Sequence, residues 1–240
     1  MNRHLITLDM DWAPDWMLED CLRTLADRRV SATWFVTHDT PVLEEILRRD
    51  DLFEAGIHPN CLPGSSHGAT EQEVLENMFS LLPEAVSMRT HGLYQTTSFL
   101  ALAAGMGVRN DVSLFLPWTQ NLSLHVLPFA GAHLIRAPYF WEDDMAMETQ
   151  GAPWSIDDPA FHGPGLRIFD FHPVHVALNT QGLAQYGNLK AQVPLHAWTR
   201  GLVEENASGG PGPATLFDEL SRFLKDRGST ISALAAQGGV

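Results

Sequence analysis

The sequence predicts a parallel α/β fold, either a barrel or an open sheet, and three observations predict it. The first half alternates β-branched and aromatic runs with amphipathic stretches, four times in series. The junctions carry capping and turn residues that suit this alternation. His, Asp and Arg recur where the predicted strands end, and strand ends are where parallel α/β folds build their sites.

The first strand is predicted over residues 5–11. Pro14-Asp15 follow, then residues 16–26 with apolar positions at helical spacing. Pro14 fits the first turn of a helix, where its missing N–H costs nothing. Ala32-Thr33-Trp34-Phe35-Val36-Thr37 reads as a strand and residues 41–48 as a helix. The third pair is a strand over 53–57 and a helix over 70–82, opened by Thr70 with Glu73 as a capping box. The fourth is 86–89 with 98–105, and Gly105 and Gly107 suit its stop. Beyond a strand over 108–116 the pattern loosens. Strands are predicted over 133–139 and 166–178, separated by a Gly/Pro-rich loop at 151–165. A helix is predicted over 215–226, after a Gly/Pro linker at 208–213. No repeat or break divides the chain, so one domain over residues 1–240 is expected.

The 240 residues are 45% hydrophobic, enough for the core of one large domain. A net charge of -14 disfavours nucleic acid and anionic membrane surfaces as partners, since both need a basic face. Cys21 and Cys61 give no disulfide framework and are compatible with a reducing compartment. There is no charged n-region with a long apolar h-region, and no run of the ~20 apolar residues that a membrane span needs. A soluble cytoplasmic protein is expected, of open oligomeric state.

In the segment Ile6-Thr7-Leu8-Asp9-Met10-Asp11-Trp12, an extended strand would put Asp9 and Asp11 on one face. Like charges that close push one pKa up unless a cation or a base role uses them. The later strand ends add His38 and Asp39, His58, Arg89 and His91, Arg136 and Tyr139 running into Glu142-Asp143-Asp144, and His172 with His175. Imidazole and carboxylate without a cysteine cluster suit Zn²⁺ or another divalent transition metal, such as Co²⁺, Mn²⁺ or Ni²⁺. With such an ion, one carboxylate can take a proton from water and a histidine can protonate a leaving group. That chemistry is hydrolysis of an amide or ester. Trp12, Trp34 and Trp141 are candidates for an aromatic wall, with ordinary core packing favoured for Trp34. His4, His125 and His133 read as structural or surface residues.

Five segments, in order from residue 6 to 176, resemble the motifs of the polysaccharide deacetylase superfamily, also called the NodB-homology or carbohydrate esterase family 4 group. The resemblance implies a distorted (β/α)7 barrel. Ile6-Thr7-Leu8-Asp9-Met10-Asp11 resembles the opening motif, which implies Asp9 as catalytic base and Asp11 as metal ligand. Gly56-Ile57-His58-Pro59-Asn60 resembles the second, which implies His58 as a ligand, while the family's usual second histidine is missing. Arg89-Thr90-His91-Gly92 stands in the third motif's place, which implies that Arg89 holds the base. His91 replaces the usual proline there and is the first candidate for the third ligand; His67 is the second and Cys61 the third. Arg136 to Asp144 resembles the fourth motif, where an aspartate orients the catalytic histidine. Asp143 is named for that role here, with Asp144 as its alternative. Phe169-Asp170-Phe171-His172-Pro173-Val174-His175 resembles the fifth and implies His172 as general acid. Trp12, Tyr139, Trp141 and His175 are the residues expected against substrate. The segments are also similar to a bacterial subgroup, the WbmS-like deacetylases, associated with surface-polysaccharide gene clusters.

The expected activity is metal-dependent removal of an acetyl group from an N-acetylated sugar or nucleotide sugar. Hydrolysis of a non-sugar amide is one alternative. A catalytically silent carbohydrate-binding homologue is the other, since the altered second motif leaves the ligand set open.

Overall fold

The computed structural model describes residues 3–238. β1 (Arg3–Asp9) is buried on both faces, as a strand covered on both sides must be. It leads into α1 (Asp15–Asp27), which follows Pro14 and buries Met17, Leu18, Cys21, Leu22 and Leu25 along one face. β2 (Ala32–Val36), α2 (Pro41–Arg48), β3 (Phe53–Ile57) and α3 (Glu71–Leu81) continue the alternation. Thr70 caps α3 by accepting from the Glu73 N–H. The Glu73 carboxylate reaches back to the Ala69 N–H rather than to Thr70, so only half of the predicted capping box forms. β4 (Ser87–Met88) and α4 (Thr97–Met106) follow, and α4 stops at Gly107, whose φ of 127° only glycine adopts easily.

The second half is less regular. β5 (Asn110–Asp111) is followed by a hairpin of β6 (His125–Phe129) and β7 (Ala132–Arg136), then β8 (Trp141–Glu142) and α5 (Asp143–Glu148). β9 (Leu166–Phe171) completes the sheet. The helices α6 (Pro173–Leu178), α7 (Leu183–Gln192), α8 (Arg200–Asn206), α9 (Pro213–Phe223) and α10 (Ile231–Gly238) complete the chain. No helix among the described residues is long and apolar enough to cross a membrane.

The strand order is β6-β7-β5-β4-β3-β2-β1-β9-β8, parallel throughout except for the β6–β7 hairpin. The run from β7 to β8 closes this sheet into a barrel. At its start it pairs with β5. Further on, Tyr139 donates to the Leu114 carbonyl and Leu116 donates to the Tyr139 carbonyl. At its end β8 pairs with β9. Seven staves result: β1, β2, β3, β4, β5 with the extended residues after it, the β7–β8 run, and β9. This is the expected distorted (β/α)7 barrel.

One connected apolar cluster runs from Leu5 to Leu234. Trp34 is fully buried in it, edge-on to Phe53, as expected for a core tryptophan. Gly56 marks a tight point between staves. A Cβ there would lie 2.7 Å from the Ser87 carbonyl and 2.9 Å from the Phe35 ring, so no larger residue fits just before His58.

Three predicted elements need correction. β1 ends at Asp9, not at residue 11: the Met10 N–H makes the last ladder bond, to Phe35, and Asp11 and Trp12 turn away with φ of 42° and 55°. The residue that shares a strand face with Asp9 is therefore Thr7. The strand predicted over 166–178 is β9 followed by α6. Pro173 cannot donate to a ladder but fits the first turn of a helix, with His172 as N-cap. The strand over 108–116 keeps only two ladder residues, because its later part bends to reach Tyr139.

Candidate active site and metal centre

Asp9, His58, Arg89, Asp170 and His172 sit at or just past the C-terminal ends of their staves. Arg89 lies one residue beyond β4 and is 1% exposed. Its guanidinium lies between the rings of Phe35 and Tyr139, 4.7 and 4.4 Å from their centroids. It donates to Asp9 Oδ1 at 2.9 Å, to Asp170 Oδ1, and to Thr7 Oγ1 at 2.9 Å. Burial opposes its charge, but Asp170 and Asp9 outweigh burial and hold the guanidinium above its ordinary range.

Asp170 was given no role from sequence. It lies opposite Thr7 across the β1–β9 ladder and accepts a hydrogen bond from Thr7 Oγ1 at 2.9 Å. Its Oδ2 is buried and has no hydrogen-bond partner among the described residues. Burial, helped by the Asp9 charge and opposed by Arg89, pushes its carboxyl well above the ordinary range. One guanidinium thus faces two buried carboxyls, and Asp170 is the one that burial drives toward the neutral form. The sequence did hold a signal: a single acid among the apolar residues of Ile168-Phe169-Asp170-Phe171.

A donor cluster lies toward the mouth. Asp11 Oδ1 is 3.2 Å from His58 Nε2 and 3.1 Å from His91 Nδ1. His58 follows β3, fixed by its N–H to the Val36 carbonyl; His91 opens the 3₁₀ turn His91–Leu93, its N–H on the Pro59 carbonyl. The shared strand face expected for Arg89 and His91 does not exist, because β4 ends at Met88. The turn nevertheless brings the imidazole to Asp11. Burial would raise the Asp11 carboxyl, but hydrogen bonds from His58 and His91 hold it well below the ordinary range. Asp9 Oδ2 is 3.5 Å from His58 Nε2, so Asp9 joins the buried hub to this cluster.

These donors suit a divalent ion. Ligands 2.0–2.1 Å from a tetrahedral Zn²⁺ stand about 3.3 Å apart, close to the separations found around Asp11 Oδ1. Two imidazoles and a carboxylate are a borderline-soft set of the kind zinc takes. The rival third donors are engaged elsewhere. His67 Nε2 lies 2.8 Å from the Thr37 carbonyl, and its Nδ1 accepts the Asn60 N–H at 3.1 Å. Cys61 stands outside the donor group, its thiol pushed up to about 11 by burial and then by Glu71.

Beside this cluster, His172 Nδ1 is 2.7 Å from Asp143 Oδ1, and the His172 N–H donates to Asp143 Oδ2 at 2.8 Å. Both oxygens of the fully buried Asp143 thus hold one histidine. Burial would lower the His172 pKa, but Asp143 and then Asp144 outweigh it and keep the imidazole protonated well above its ordinary range. Its Nε2 faces Asp11 Oδ2 at 3.6 Å. Asp144 pairs with His175 instead, Oδ1 to Nε2 at 2.7 Å.

The residues expected against substrate separate. Trp12 is half-buried, edge-on to His91 at 5.4 Å, and lines a cleft of about 540 Å³ with Asp11, Lys190, Pro194, Leu195 and His196. Tyr139 and Trp141 are each 1% exposed and do not line a groove. The Tyr139 ring stacks on Phe115 at 4.5 Å and its hydroxyl donates to Glu142; Trp141 packs among Phe169, Phe171 and Trp154. Barrel closure through residues 137–142 covers both faces of that run, which buries the two aromatics. His175 is also buried, against Asp144, Thr180 and Tyr186. Arg136 turns to Asp111 and Gln95, and His38 to Thr37, away from the cluster.

A seven-stave barrel with carboxylate and imidazole donors at its strand ends has the build of the polysaccharide deacetylase superfamily. The family described as "WbmS-like: Polysaccharide deacetylase" matches residues 6–190. The chain belongs to that family. Among solved structures it is similar to a polysaccharide deacetylase of Bordetella bronchiseptica described as involved in O-antigen biosynthesis, with 35% identity, 91% of this chain and 89% of that chain covered, and a TM-score of 0.80. A polysaccharide deacetylase of Mycobacterium smegmatis shares the fold at 16% identity, 98% and 91% coverage and a TM-score of 0.59. No curated protein matches the chain.

Proposed function

We propose that the protein is a metal-dependent N-deacetylase acting on an N-acetylated sugar, free or nucleotide-linked, in the metabolism of a bacterial surface polysaccharide. One observation carries the reading: Asp9 and His172, an acceptor and a donor of protons, both border the Asp11–His58–His91 group, Asp9 Oδ2 at 3.5 Å from His58 Nε2 and His172 Nε2 at 3.6 Å from Asp11 Oδ2. The Bordetella relative's description supports the polysaccharide context, and two free cysteines fit a reducing cytoplasm.

Asp11, His58 and His91 would hold a divalent ion, zinc by its donor set, which would supply Lewis acidity and lower the pKa of a water toward ~7. Asp9 acts as base. Its Oδ1 is fixed by Arg89, and its Oδ2 is turned to the donor group to receive a proton from the attacking water. His172 acts as acid. Asp143 holds the proton on Nδ1 and stabilises the imidazolium, so Nε2–H is the proton given to the departing amine. Arg89 and Asp143 act through these two groups as positioning residues. Trp12 offers a ring face at the edge of the cleft for the apolar side of a sugar.

An acetate-release screen over UDP-linked N-acetyl sugars and small non-sugar amides, run beside metal analysis, tests the proposal. Acetate from at least one N-acetyl sugar by ion-containing protein is the expected result. Turnover confined to non-sugar amides, or no turnover with a full complement of ion, would overturn it.

A further inference from the structure

Beside the first donor group lies a second set, which the reaction above uses only through His172. His175 follows His172 by one turn of α6, and its Nε2 is 2.7 Å from Asp144 Oδ1. Ligating atoms of Asp144, His172 and His175 all lie within 4.8 Å of one another. In each imidazole Nδ1 is already engaged: by Asp143 Oδ1 at 2.7 Å in His172, and by Thr180 Oγ1 at 3.0 Å in His175. Histidines that ligate metals are held in this way, with an outer hydrogen bond that fixes the tautomer and leaves the other nitrogen to the ion. Both Nε2 atoms then share one space with a carboxylate. Asp11 borders both sets, with Oδ1 toward His58 and His91 and Oδ2 3.6 Å from His172 Nε2.

We propose that Asp144, His172 and His175 form a second divalent-cation position, beside the first and bordered by Asp11 Oδ2, whose filling inhibits the enzyme. A simple His175–Asp144 ion pair accounts for two of these groups. It does not account for a second imidazole, His172, with a ligating atom in the same donor group. Binding here forms an Nε2–metal bond at each imidazole, and any proton on those nitrogens leaves to solvent. His172 then has no Nε2–H to give to a departing amine. The second position is the weaker one, because its ion must break the pair that His175 Nε2 and Asp144 Oδ1 already make at 2.7 Å. The inhibition rests on the acid role proposed for His172, whereas the binding does not.

Zinc titration of the metal-free protein by calorimetry in buffers of differing ionisation heat, with elemental analysis of the same samples, tests this. Two binding phases are expected, the weaker one releasing protons. His175→Ala should weaken that phase by about 10–100-fold or more and leave the tight one in place. Asp144→Asn, which keeps the side-chain volume, should do the same and covers the case where His175→Ala fails to fold. Excess zinc should slow acetate release by the wild type, and the fold of slowing should drop in both variants. A single phase in the wild type at millimolar zinc, or a second phase unchanged in both variants, would overturn the proposal. Failure of the deacetylase reading looks different: no acetate from any sugar, with both binding phases present.

Discussion

Around Arg89, the partners Asp9, Thr7 and Asp170 come from two adjacent staves paired residue by residue, and all are buried. Around Asp11 Oδ1, the partners come from separate turns after β3 and β4, Asp11 itself lies in a left-handed turn, and the His91 side chain is 27% exposed. The first region is fixed by sheet register and shielded from water; the second is assembled by loop geometry at the barrel mouth. The difference teaches where damage will register. Changes in the buried hub should cost folding free energy along with turnover, because they leave charges unpaired in the core. Changes at the mouth should cost ion affinity and spare the fold.

The largest effect is expected at Arg89. Arg89→Met leaves Asp9 and Asp170 facing each other without a cation, and loss of one partner of a buried charge pair costs about 3–5 kcal/mol. Chemical denaturation of the metal-free protein should show that loss; a midpoint unchanged from wild type would break the contrast between the two regions. Next is Asp143→Asn, which removes the carboxylate that orients His172. A fall in kcat of about 10²–10⁴-fold is expected, as for other histidines that lose their orienting carboxylate. The pH profile carries the sign. His172 has its pKa raised against burial by Asp143 and Asp144, so the acid is fully present below its ordinary value near 6.5. Its contribution is lost only as pH rises through the elevated value. Asp143→Asn should move that alkaline fall to lower pH, and a fall that stays in place would detach Asp143 from the acid. The smallest effect on the fold is expected at the mouth. His91→Ala should lower ion content on dialysis with little change in denaturation midpoint, while His67→Ala should leave ion content as it is. The reverse pattern would transfer the ligand role to His67.

The contrast between the two regions also governs what the sequence made legible. The βα alternation up to residue 106 could be read because each helix has its own apolar face and each strand its own bounds. Asp9, His58, Arg89 and His172 could be placed at strand ends for the same reason. The turn at Asp11 could not, since aspartate fits an extended strand and a left-handed turn alike. The split of 166–178 was readable in principle, because Pro173 denies the ladder a donor, but the apolar alternation through Val174 and Val176 masked it. Tyr139 and Trp141 have the residue type of a sugar-binding wall; only barrel closure makes them core. Asp170 was visible as an acid among apolar residues, yet its use depends on the β1–β9 register, which no local pattern encodes.

Asp9 is the residue common to the two regions: one oxygen on Arg89, the other beside His58. Asp9→Asn keeps the shape and removes the proton acceptor. Ion content and acetate release measured on one preparation of this variant test the account most directly. The predicted result is an unchanged ion content with turnover reduced by about 10²–10⁴-fold; turnover near that of the wild type, with the ion in place, would contradict it.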